Sequence, residues 1–132
     1  MRGIIVTFIF LVSSISFAES PCKKLVNEGL ENFVSAEYHL VFAAKNYRRI
    51  MGPAPIHEKK TKCELITELG RVFDASSVLF LEAEATFDFA LNICDTGGVK
   101  EAMTWSEHTV TSHNIVRRYQ GLVAEYIDYN CK

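Results

Sequence analysis

From Pro21 to Lys132 the chain carries strong helix-breaking signals at only two places. One is MGPAPIHEKK, residues 51–60, and the other is CDTGGV, residues 94–99. Clustered Gly and Pro punctuate secondary structure because one frees φ and the other removes a donor and fixes φ. Everything between these clusters must therefore be explained by long, uninterrupted elements.

The intervening stretches repeat their apolar residues at alternating steps of three and four. Val26, Leu30, Phe33, Leu40, Val41 and Ala44 do so in the first, and Ile66, Leu69, Phe73, Phe80, Phe87 and Leu91 in the second. The third uses Ala102, Trp105, Val116, Tyr119, Val123 and Ile127. This is helical periodicity, not strand alternation. The expected helices cover about 21–51, 57–94 and 98–130, with Ser20 as N-cap and Pro21 in the first turn. At about 1.5 Å per residue they run roughly 45–55 Å. Short loops between long helices force antiparallel neighbours. The expected fold is all-α: an up-down-up antiparallel three-helix bundle.

The chain opens MRGIIVTFIFLVSSISFAES, a basic start, an apolar run from Ile4 to Phe17, and small residues before Glu19. That pattern describes a cleavable secretory signal over 1–18, leaving 19–132 as one helical domain. The apolar run falls short of the roughly 20 residues of a membrane span, so no membrane association is expected after cleavage. The expected location is the periplasm or the extracellular space.

Export changes the meaning of Cys22, Cys63, Cys94 and Cys131. Four cysteines in an exported chain of this size read as two disulfides. The topology selects the pairing. Cys22 and Cys94 both fall at the end where the first helix starts, and Cys63 and Cys131 both fall at the other. Cα atoms of a disulfide lie within roughly 7 Å, so pairs that cross the bundle's length are excluded. Cys22–Cys94 and Cys63–Cys131 follow.

Without Arg2 the 14 Lys and Arg become 13 against 16 Asp and Glu, a mature net charge of −3. A nucleic-acid binder is usually clearly basic, so that class is not expected. The charge is unevenly spread: the end holding Cys63 sums to +5 and the end holding Cys22 to −6.

Chemistry-bearing residues concentrate at mid-height. Glu37 interrupts the apolar arc of the first helix, and Glu84 shares a face with Phe80, Phe87 and Leu91 in the second. In the third, Thr109, Ser112 and His113 break the stripe between Trp105 and Val116. Counting levels along the helices places Glu37 near His113 and Glu84 near Thr109, with Ser76 and Ser77 at a similar height. Buried carboxylates must pair, hydrogen-bond or stay protonated. The first expectation is a satisfied polar layer fixing register. The alternative is a metal or small-ligand site on Glu37, Glu84 and His113, since carboxylate and imidazole are reasonable ligands. Neither a Glu-x-x-His di-iron motif nor a Cys-x-x-Cys-His haem motif is present, so no cofactor is expected. No catalytic residue is assigned, because nothing in the sequence promises an accessible cleft.

The second half of the second helix is apolar on more than one side. Val78, Phe89 and Ile93 point away from the face carrying Phe80 and Phe87, and on the first helix Tyr38 and Phe42 lie off the main stripe. A helix apolar nearly all round should be buried on several sides. The functional expectation is therefore a non-enzymatic binding protein of the inhibitor, immunity or adaptor type. These five residues form its candidate interface, with another protein or a second copy as partner.

Overall fold

A computed structural model describes residues 20–53 and 58–132. The signal-peptide expectation for residues 1–18 lies outside the described residues, as do Glu19 and His57. Three helices follow one another: α1 (Pro21–Met51), α2 (Lys59–Ile93) and α3 (Thr96–Asn130). They form the up-down-up bundle, with no strand among the described residues. No helix among them is long and apolar enough to cross a membrane.

Each start has a local cause. The Ser20 side chain accepts from the Lys23 backbone N–H at 3.2 Å, and Pro21 occupies the first turn. The third helix begins at Thr96, two residues earlier than the glycines suggested. Asp95 accepts from the Gly98 N–H at 3.2 Å and draws Gly97 and Gly98 into the first turn. Gly98 serves packing instead of a turn: a β-carbon there would overlap Cys22 Sγ and lie 2.9 Å from Cys94 Cβ.

The two disulfides are Cys22–Cys94 and Cys63–Cys131, with Cα atoms 4.9 and 5.7 Å apart. They close separations of 72 and 68 residues at opposite ends. In the chain-entropy account each contributes about 4 kcal/mol.

The core repeats every seven residues. In α2, Ile66, Phe73, Phe80 and Phe87 are fully buried, alternating with buried Leu69, Ser76, Ala83 and Ala90. In α3 the buried series is Ala102, Thr109, Val116 and Val123. In α1 it is Gly29, Ala36, Ala43 and Ile50, alternating with Val26 and Leu40. A sustained three-four alternation keeps one seam facing the partner helices, as in a coiled coil.

The seam between α1 and α2 is lined by small residues on both sides. Ser76 Oγ donates to the Ala36 carbonyl oxygen at 2.8 Å, an approach that a bulky residue at either position would block. Val41, expected on this face, is instead exposed, and Ala43 takes its place. The aromatic side chains fill the centre. Phe33 meets Phe80 edge-on at 5.8 Å and Trp105 at 5.4 Å, and Phe73 stacks on Tyr119 at 4.9 Å. Burial, and then the neighbouring Tyr119, Glu125 and Tyr126, raise the Tyr47 hydroxyl above the ordinary tyrosine value.

Candidate functional site

The mid-height polar residues do come together, but their pairing differs from the expected one. Ser112 Oγ donates to Glu37 Oε1. His113 faces α2, where its Nδ1 lies 3.9 Å from Glu84 Oε2 and its Nε2 lies 2.9 Å from Ser77 Oγ. Glu37 thus meets Ser112, not His113, and Glu84 meets His113, not Thr109. The reason is the 100° between successive helical residues: Ser112 points to α1 and His113 to α2. Thr109 is fully buried and spends its hydroxyl on its own helix, donating to the Trp105 carbonyl at 2.7 Å.

Glu37 itself is half-buried, beside the seam and not at its centre. The centre of the α1 face is Ala36, one residue earlier. A carboxylate is tolerated there because it reaches the rim between α1 and α3, where Ser112 meets it.

A carboxylate only accepts, so a proton on His113 Nδ1 facing Glu84 leaves Nε2 to accept from the Ser77 hydroxyl. Burial, and then the Arg117 guanidinium, hold His113 below its ordinary value, against a smaller upward pull from Glu84. Ser77, His113 and Glu84 follow the residue order of a hydrolytic triad. The geometry is otherwise unlike one. The His–Glu separation is long for a hydrogen bond, and Ser77 sits mid-helix, where backbone N–H groups are bonded within α2 and cannot hold an oxyanion.

The metal alternative is not formed. Glu37 and the Glu84–His113 pair lie on different seams, and no group of three His, Cys, Asp or Glu that could hold a metal occurs among the described residues. Nor does any buried side-chain nitrogen or oxygen there lack a hydrogen-bond partner.

The surface residues are placed differently. Val78, Phe89 and Ile93 are 54%, 57% and 45% exposed. Leu81, half-exposed at 50%, belongs with them and was missed by sequence reading. Its signal is spacing: 78, 81, 85, 89 and 93 fall within about 120° of one another on a helix. Tyr38 and Phe42 are also exposed. They do not extend the α2 strip, however. Val34, Tyr38 and Val41 form their own line on α1, with Phe42 at its edge. Val34 and Val41 lie two residues from Ala36 and Ala43, the positions that pack on α2, and hence point nearly the opposite way.

At the basic end a cavity of about 910 Å³ is lined by Lys59, Lys60, Arg71, Lys132 and the Cys63–Cys131 bridge, among others. Several cations there are paired locally. Arg71 contacts Glu68 at 2.6 Å, Lys132 contacts Asp128 at 2.9 Å, and Lys62 lies over the Tyr126 ring. On α1, His39 is half-buried and bonds the Ser35 carbonyl at 2.7 Å.

Comparison with protein-family models, with curated proteins and with solved structures finds no match for the chain.

Proposed function

We propose that this is an exported, non-enzymatic binding protein that contacts another protein through the outward strip of α2. The reading rests on one observation. Val78, Leu81, Phe89 and Ile93 line one side of a helix whose opposite side is already filled by Phe73, Phe80 and Phe87. Scattered exposed apolar residues are ordinary on protein surfaces, but a contiguous helical line of them is the form an interface takes. The polar layer supports the same reading, because Ser112 and Ser77 already engage Glu37 and His113, as expected of groups that hold register.

The discriminating experiment compares immobilised mature protein with Phe89→Asp and Glu37→Gln, each checked for folding by circular dichroism. A partner retained by wild type and by Glu37→Gln but lost with Phe89→Asp supports the strip. Retention by Phe89→Asp with loss in Glu37→Gln would transfer the site to the polar layer and sink the proposal.

A further inference from the structure

The apolar strip of α2 is edged by acids on the side it shares with α3. After Arg71 the chain has no Lys or Arg until Lys100, and within that gap stand Asp74, Glu82, Glu84, Asp88 and Asp95. The next gap on α3, from Glu101 to Val116, likewise contains no Lys or Arg and adds Glu101 and Glu107. Two cross-helix bonds fix where the acids sit. Ser106 Oγ reaches Asp88 Oδ1 at 3.5 Å, and Gln120 Nε2 donates to Asp74 Oδ1 at 2.8 Å. Asp74 and Asp88 therefore line the seam between α2 and α3, flanking Leu81. On the α3 side, exposed Val110 and Met103 lie close to Ser106 in the helical register and widen the apolar area. Cations stand towards its ends: Arg71 lies before Val78, and Lys23 and Lys24 follow Cys22, whose bridge to Cys94 adjoins Ile93.

An apolar line edged by acids discriminates among occupants. Two copies packed antiparallel about Ala85 would bring Glu82 of each against Asp88 of the other, and like charges so placed are repulsive. An anionic lipid surface is repelled for the same reason. A helix with an apolar stripe edged by Lys and Arg is complementary on both counts. From Val78 to Ile93 the strip covers about four turns, roughly 22 Å, the length of one ordinary helix. Resting on the interface reading above, we propose that the α2 strip takes an amphipathic α-helix of another protein whose apolar stripe is flanked by Lys and Arg.

The test uses oxidised mature protein and three labelled synthetic peptides of about five turns. They share one Leu/Ala stripe and differ only in flanking residues: Lys, Gln or Glu. Fluorescence anisotropy is read at low and high salt. The Lys-flanked peptide is expected to bind at least about tenfold tighter than the Gln-flanked one, with the advantage shrinking as salt screens the charges. The double variant Leu81→Ser/Phe89→Ser should abolish binding, whereas Glu82→Gln/Asp88→Asn should remove only the preference for Lys. All four positions are surface sites, and circular dichroism verifies folding of each variant.

Equal or tighter binding of the Gln- or Glu-flanked peptide, still lost in Leu81→Ser/Phe89→Ser, overturns the cationic partner but leaves the strip as an interface. Lys-peptide binding that survives that double variant is charge attraction alone and overturns the proposal. So does a dimer in sedimentation velocity that Phe89→Ser dissociates, since a second copy then fills the strip. If no peptide binds in a Phe89-dependent way, the proposal fails, and partner capture by wild type against Phe89→Asp decides separately whether the interface reading survives.

Discussion

The ring of Phe87 occupies the space that a β-carbon on Gly29 would need: built there, it would lie 2.6 Å from the ring's Cε1 atom. This close approach in the small-residue seam between α1 and α2 makes the sign of a conservative substitution predictable. Alanine at a helical glycine ordinarily gains close to 1 kcal/mol of helix propensity. Phe87 is fully buried and has nowhere to go, and overpacking a filled core costs about 1–3 kcal/mol. Gly29→Ala should therefore destabilise, by up to about 2 kcal/mol in urea unfolding, with Phe87→Leu in the same chain recovering part of the loss. Gly121→Ala in α3, with nothing within 4 Å of its β-carbon, should stabilise by up to about 1 kcal/mol. If both alanines shift stability the same way, packing at Gly29 is not as described.

The two disulfides should contribute nearly equally to stability, and only one of them should depend on Gly98. Cys22→Ala/Cys94→Ala and Cys63→Ala/Cys131→Ala each lose about 4 kcal/mol or somewhat less, because their loops are nearly equal in length. Gly98→Ala should lower the melting temperature of the oxidised protein by crowding Cys22 and Cys94. That loss should shrink when Cys22 and Cys94 are already alanine. Thermal unfolding of the four variants makes the comparison, and an undiminished Gly98→Ala loss without the bridge would show that Gly98 answers to something else.

The helices, their order and the cysteine pairing were legible because each rests on a strong local signal: two breaker clusters, unbroken periodicity, and ends that only one pairing can join. The seam between α1 and α2 was not. Gly29, Ala36 and Ala43 look neutral in a search for large apolar residues, so the face of α1 was placed around Val41 and Glu37 instead of Ala36. The heptad of small residues, with Ser76, Ala83 and Ala90 answering from α2, was the available signal. Rotating α1 by one residue is also what moved Glu37 from the seam's centre to its rim, and exchanged its partner from His113 to Ser112. Pairwise contacts in a polar layer depend on helix rotation to within a fraction of 100°, which periodicity alone does not fix.

Ser112 and Glu37 should couple. Hydrogen bonds to a charged acceptor contribute about 1.5–3 kcal/mol when enclosed, and this one is only half-buried, so the lower end applies. Glu37→Gln keeps an acceptor and should cost about 1 kcal/mol or less. Ser112→Ala costs a similar amount, and the double variant should fall short of the sum. Additive losses in a double-mutant cycle would mean that the two side chains do not meet.

His113 should make stability depend on pH. Its folded-state pKa lies below the ordinary 6.5 because burial and Arg117 oppose the cation, with Glu84 opposing them less strongly. The native state therefore binds fewer protons than the unfolded chain as pH falls past that ordinary value. The stability associated with neutral His113 is complete above it and is lost progressively as pH falls through the lowered folded value. Nothing packed against the ring reverses this: Ser77 is neutral, Phe80 lies 6.1 Å away, and Glu84 is already counted. Urea unfolding should show a midpoint that declines on acidification from neutral pH. His113→Gln should remove part of that decline. The ring protons of His113, followed by NMR, should titrate below the ordinary histidine value of 6.5. A His113 that titrates at or above that value would mean that Glu84, and not burial, governs the ring.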